Sequence, residues 1–173
     1  MVSAAAAAAP DRRAQAWAVL ATVPDPEVPA ISLCELGIVR KVLDHGTSLE
    51  VVLTPTYSGC PATEVIERSV VEAIGAAGLG PARVSLQRAP AWTTDWISAD
   101  GKRKLREAGI APPGPVADAA VPMRFVGRRA EAVPCPRCGS AHTERLSAFG
   151  ATACKALWRC LDCREPFEHF KPL

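Results

Sequence analysis

The sequence predicts an α/β protein in two parts, a small α-β-β-α-β domain followed by a cysteine-rich module. Three observations carry this reading. Roughly the first 110 residues alternate segments of helical and strand apolar period. A stretch rich in Pro, Ala and Gly, residues 111–122, then interrupts the pattern with no period of its own. Five of the seven cysteines come after residue 134. The expected organisation is therefore a domain over residues 10–110, a linker over 111–122 and a metal-stapled module over 123–173.

Each element has a local reason. A first helix is expected from about Arg12 to Thr22, capped by Asp11, with Trp17, Leu20 and the intervening alanines as its apolar face. Pro24-Asp25-Pro26-Glu27-Val28-Pro29 breaks it into a stiff loop, because three prolines fix φ and remove donors. Ile31–Leu36 follows as a turn or half-helix. Ile38–Asp44 and Ser48–Thr54 read as strands joined at His45-Gly46. Pro61 suits the first position of a second helix, with Cys60 at its N-cap. Ala62, Val65, Ile66, Ser69, Val70, Ala73 and Ile74 recur at helical spacing until Gly75, Gly78 and Gly80-Pro81 end it. Arg83–Arg88 alternates, with Val84 and Leu86 on one face of a third strand. A short basic helix is expected around Ser98–Ala108.

Composition narrows the function classes. Leu, Ile, Val and Phe supply 39 of 173 residues, enough for a modest core. No stretch reaches the ~18–20 consecutive apolar residues of a membrane span. The Ala4–Ala9 run lacks the basic flank and strongly apolar centre of a signal peptide, so a soluble cytoplasmic protein is expected. Net charge is +2. Residues 1–122 carry 11 basic against 13 acidic side chains, and residues 123–173 carry 9 against 5. Four thiolates on one divalent ion would bring the tail from +4 to about +2. Aromatic residues are not interleaved with Arg and Lys, so nucleic acid is not an expected partner. The sequence has no Gly-rich phosphate loop, no H-E-x-x-H and no nucleophile elbow.

The strongest chemical signal is Cys135-x2-Cys138 with Cys160-x2-Cys163. Each pair bends the chain so that two sulfurs face one ion, and two pairs complete a tetrahedron, as in a zinc ribbon. Gly139 suits the turn, and Trp158 and Phe167 are expected to pack beside it. Four thiolates suit zinc or an iron–sulfur centre. Cys154 reads as a small buried hydrophobe or, alternatively, as an extra ligand or a cluster-transfer thiol. His142 and His169 are not needed as ligands. In the first domain, Cys60 at a helix start would have its thiolate favoured. Its structural alternative is a half-buried packing residue. Glu64 would oppose the thiolate or serve as a neighbouring ligand. Asp25 and Glu27 on the proline loop could approach the same place, or act as a cap and a solvated acid. Cys34 reads as core.

Longer motifs add a resemblance. Asp25-Pro-Glu-Val-Pro, Leu36-Gly-Ile-Val-Arg and the Cys60 loop resemble the MIP18-type (DUF59) domain of iron–sulfur cluster assembly factors. Pro55-Thr-Tyr-Ser-Gly-Cys-Pro-Ala, Ala91-Trp-Thr-Thr-Asp-Trp-Ile, Phe149-Gly-Ala-Thr-Ala-Cys-Lys-Ala-Leu-Trp-Arg-Cys and Glu165-Pro-Phe resemble the PaaD (PaaJ) family of bacterial phenylacetyl-CoA epoxidase subunits. The resemblance spans nearly all of residues 17–171. It implies a MIP18-like fold for 10–110 and an accessory, non-oxygenating role in aerobic phenylacetate catabolism. That role would be to supply or repair a metal centre, with the iron–sulfur reductase subunit as client. It carries Asp25 and Cys60 over as functional positions, with Glu27 and Glu64 beside them and a transient iron–sulfur cluster at Cys60. A homodimer is compatible with it. The competing expectations are a structural or electron-relaying subunit with an iron–sulfur tail and, last, a nucleic-acid-binding ribbon. Two departures stand out: Glu35 where the family often has Asp, and a chain end, Lys171-Pro-Leu, without a further Cys.

Overall fold

A hairpin and a crossover build the first sheet. β1 (Val39–Asp44) and β2 (Leu49–Leu53) pair antiparallel, Val42 opposite Val51, and β3 (Ala82–Leu86) joins β2 in parallel, Val51 opposite Val84. A parallel neighbour requires a crossover, and the helix α2 (Thr63–Ala76) supplies it. The computed structural model describes residues 11–57, 59, 61–114 and 132–172.

Burial follows the expected periods only in part. α2 buries Ile66, Val70 and Ile74, spaced by four, and leaves Val65 exposed. The helix α1 (Arg12–Leu20) is capped by Asp11, whose side chain accepts from the Arg13 N–H, and buries Ala16 and Leu20 while Trp17 stays exposed. β2 is central, with Leu49, Val51 and Leu53 at or below 1% exposure. β3 is an edge strand, so Val84 is only partly covered and Leu86 is exposed. The helix α3 (Ala99–Glu107) is capped by Ser98, whose hydroxyl accepts from the Gly101 N–H.

One boundary differs from expectation. α2 begins at Thr63 rather than Pro61, and its N-cap is Ala62, which has no side-chain cap. Pro61 and Ala62 form a turn, and the Ile66 N–H bonds back to the Ala62 carbonyl at 2.9 Å. Cys60 is therefore upstream of the cap position assigned to it, and Cys60 itself lies outside the described residues.

The second sheet has the order β4-β7-β6-β5, from β4 (Ile110–Ala111), β5 (Thr143–Ser147), β6 (Lys155–Cys160) and β7 (Pro166–Phe170). β5, β6 and β7 form an antiparallel meander, and β4 adds in parallel to β7, with Ala111 opposite His169. Ala111, expected to open the linker, is thus a buried strand residue. Residues 115–122 of that linker lie outside the described residues.

The two sheets share apolar packing. Cys154 and Phe170 belong to the same core cluster as Leu20, Leu36, Ile38 and Trp92. Trp92 also donates its indole N–H to the Leu36 carbonyl at 3.1 Å. Gly37 sits at φ +77°, where a Cβ would come within 2.7 Å of Trp96, so this turn admits no side chain. Among the described residues no helix is long and apolar enough to cross a membrane.

Candidate functional site

Two matching turns hold the four cysteines. In the first, the Cys135 N–H donates to the Ser140 carbonyl at 2.9 Å; in the second, the Cys160 N–H donates to the Glu165 carbonyl at 3.0 Å. The residue after each second cysteine is left-handed, Gly139 at φ +76° and Arg164 at φ 67°. Only the glycine signalled this conformation in advance. The turns bring Cys135 Sγ to 3.8 Å from Cys163 Sγ and Cys138 Sγ to 3.6 Å from Cys160 Sγ. All four sulfurs lie within 4.8 Å of one another. Sulfurs at ~2.3 Å from one tetrahedral ion would stand about 3.8 Å apart, so the donor set fits a single metal.

Cys135 and Cys160 are buried with Trp158 and Phe167 in a second small core, and Cys138 and Cys163 face solvent. In the metal-free chain the Cys160 thiol is drawn down to about 7, first by the Cys163 N–H. Neither nearby histidine joins the set. His142 Nδ1 pairs with Asp162 at 3.0 Å on the surface. His169 stands edge-on to Trp158, and burial lowers its pKa to about 4.

The proline loop builds a different place. Asp25 donates its N–H to the Ile31 carbonyl, and its Oδ1 accepts from the N–H groups of Glu27 at 2.9 Å and Val28 at 2.8 Å. This closes a tight turn around a carboxylate that is 5% exposed. Burial raises the Asp25 pKa, against those two N–H groups and the charge of Lys155. Burial and the neighbouring Asp25 charge raise that of Glu27. Asp25 and Glu27 line a small cavity together with Pro55, Thr56, Phe170 and Cys154.

Cys154 therefore stands with the acidic loop and not with the other tail thiols. It is buried, within 3.0 Å of the Thr152 hydroxyl, and burial raises its pKa. Its neighbour Lys155 is almost fully buried and pairs with Glu168 at 2.7 Å. Sequence reasoning did not single out Lys155 or Glu168. An isolated Lys at the start of a strand gives no signal of burial, and only the Cys-Lys pair within the long tail motif marked the segment. Glu64 is exposed in the first turn of α2 and does not line the cavity. Cys34 is half-buried, and burial pushes its thiol up to about 11.

Comparison with known proteins matches both parts. Residues 13–86 match the family model for an iron–sulfur cluster assembly protein, and residues 119–171 match that for the PaaD zinc beta ribbon domain. A curated relative from Escherichia coli K12, named for a subunit of 1,2-phenylacetyl-CoA epoxidase, is 48% identical over 164 residues, 94% of each chain. A solved DUF59 domain from Bacillus anthracis covers 54% of this chain and 91% of its own, at 25% identity and a TM-score of 0.51.

Proposed function

The chain belongs to the PaaD family of phenylacetyl-CoA epoxidase subunits, and from that membership we propose that it is a non-enzymatic accessory protein of phenylacetate catabolism. It assembles or inserts an iron–sulfur centre into the epoxidase complex, with the iron–sulfur reductase subunit as client. One observation carries this reading. An iron–sulfur assembly domain and a PaaD zinc ribbon are present in one chain, and the proline loop of the first carries a buried, turn-bound Asp25.

The parts divide the work. Cys60, the thiol of the loop that follows β2, takes the iron cargo transiently, while Asp25 and Glu27 supply carboxylate oxygens near the start of that loop. Glu64, exposed on α2, is at most an outer neighbour. Cys135, Cys138, Cys160 and Cys163 hold one zinc ion as a closed structural centre, supported by the sulfur separations of 3.6 and 3.8 Å. When bound, the zinc supplies cross-linking and no redox chemistry. The protein acts in the cytoplasm on a protein partner.

The second reading, an electron-relaying subunit with an iron–sulfur tail, is favoured by the relative's being named for a subunit. Anaerobic purification separates the two: colourless protein with one zinc supports maturation, and stable brown colour in the tail supports relay. A strain carrying Cys60→Ser is expected to keep the protein but leave the reductase subunit short of iron. Separately prepared, fully metallated epoxidase is expected to turn over in that strain's extract without this chain. If turnover still requires the chain, the maturation reading fails.

A further inference from the structure

We infer that Arg137 and Asp162 are positioning residues that latch the four-cysteine centre, so that its ion is retained rather than passed on. This rests on the reading above and deepens it, because a chain that hands on iron at Cys60 has to keep its resident metal out of that traffic. Each latch starts between the two cysteines of one turn and ends on the residue that closes the other. Arg137, inside Cys135-x2-Cys138, donates from Nη1 to Glu165 Oε1 at 2.7 Å. Asp162, inside Cys160-x2-Cys163, accepts from the Ser140 hydroxyl through Oδ2. Glu165 and Ser140 are the residues whose carbonyls accept from the Cys160 and Cys135 N–H groups. The two contacts are therefore equivalent by position. In each, the residue before the second cysteine of one turn grips the residue two places beyond the second cysteine of the other.

The latches span the part of the centre that can open. The short sulfur separations, 3.8 Å from Cys135 to Cys163 and 3.6 Å from Cys138 to Cys160, both run from one turn to the other. Cys138 and Cys163, one in each turn, face solvent, and a chelating group gains its first hold there. Freeing either sulfur requires its turn to swing away from its counterpart, and that movement breaks both latches. His142 reinforces the Asp162 side. Its Nδ1 lies 3.0 Å from Asp162 Oδ1, its N–H donates to the Ser140 hydroxyl at 3.0 Å, and its carbonyl accepts from the Leu161 N–H at 2.8 Å. Both latches lie at the surface, where water competes and a single ion pair holds little. Their effect comes from acting together on one movement, as partners outside the ligand shell hold ligands in place.

The test follows zinc transfer from the full-length chain, loaded with one equivalent, to a chelating dye in such excess that the rate no longer depends on the dye. Arg137→Ala and Asp162→Ala are each expected to speed release about threefold, and their combination about tenfold. Exchanging the charges, Arg137→Glu with Glu165→Arg, is expected to restore the rate to within about a factor of two of the wild type. A role in local packing or turn propensity would not be restored by that exchange. Glu144→Ala breaks the ion pair with Arg159 inside the β5–β6 hairpin, leaves the turns alone and is expected to keep the wild-type rate. Raising sodium chloride is expected to speed release from the wild type and to leave the combined variant unchanged. The wild-type salt series decides the matter even where a variant misfolds. The inference is overturned by wild-type release in the combined variant, by failure of the charge exchange to restore it, by equal acceleration in Glu144→Ala, or by salt-independent release from the wild type. Its failure is separable from that of the maturation reading. Unchanged release in the combined variant, with reductase subunit short of iron in the Cys60→Ser strain, removes the latch and leaves maturation standing. Fast release in the combined variant, with a fully loaded reductase subunit in that strain, does the reverse.

Discussion

Phe170, the last residue of β7, packs its ring 6.0 Å from that of Trp92, and both are 5% exposed or less. This contact ties the ribbon to the core of the first module. A tail of about 50 residues has too little apolar core to fold without a staple, so its order is expected to depend on a metal held by the four-cysteine cluster. The packing of Phe170 passes that dependence on to the first module.

Removing the metal should therefore weaken both modules. Phe170→Ala is expected to cost about 3–5 kcal/mol, the usual penalty for emptying a buried aromatic site. Cys138→Ser or chelation should expose tail amides to hydrogen exchange and shorten protection around residues 92–97 as well. Protection of residues 92–97 that is unchanged after chelation would show that the modules are uncoupled.

The order of elements through α3 and the four-cysteine cluster could be read because both are local. Asp11 and Ser98 cap their helices, the 3.6-residue period marks α2, and the paired C-x2-C spacing marks the ribbon. What could not be read depends on contacts distant in sequence. Trp17 and Val65 have the right period yet end up exposed, because period identifies a face and not how far the neighbouring element covers it. Ala111 became a strand only because β7 offered an edge. The cavity joining Asp25 to Cys154 has no local signature at all.

Cysteine reactivity should separate by environment. With its thiol pushed up to about 11, Cys34 has about one part in ten thousand thiolate at pH 7. Its alkylation rate, followed by peptide mass spectrometry, is expected to rise nearly tenfold per pH unit up to that value. Cys60 is expected to react before it at pH 7. A pH-independent rate at Cys34 would mean that opening of the fold, not ionisation, controls access.

His169 makes the protein acid-sensitive. Burial holds its pKa at about 4 against an ordinary value near 6.5, so the folded state prefers the neutral ring. Its stabilising contribution is complete above pH 6.5 and is lost as pH falls through 4, because the unfolded chain takes up the proton first. Comparing urea midpoints of the wild type and His169→Phe between pH 7 and 4 is expected to show a smaller decline in the variant. Parallel declines would place the acid sensitivity elsewhere.

Lys155 and Glu168 test how charge is balanced beneath the cavity. The ammonium is nearly inaccessible, 2.7 Å from Glu168, and its charge also reaches Asp25 and Glu27. Lys155→Met retains most of the apolar stem but leaves three acids without a cation. Removing one member of a buried pair typically costs 3–5 kcal/mol, whereas replacing both is often close to neutral. Glu168 would keep one partner, since its Oε1 also accepts from the Ala151 N–H at 2.8 Å, which places the expected cost near the lower figure, about 3 kcal/mol. Lys155→Met combined with Glu168→Gln should recover most of that loss, because the amide oxygen can still accept from Ala151 without carrying charge. Chemical denaturation of the two single variants and the double variant gives the coupling directly. Additive losses would mean that Lys155 acts through packing alone and that the acids around the cavity are balanced by other groups.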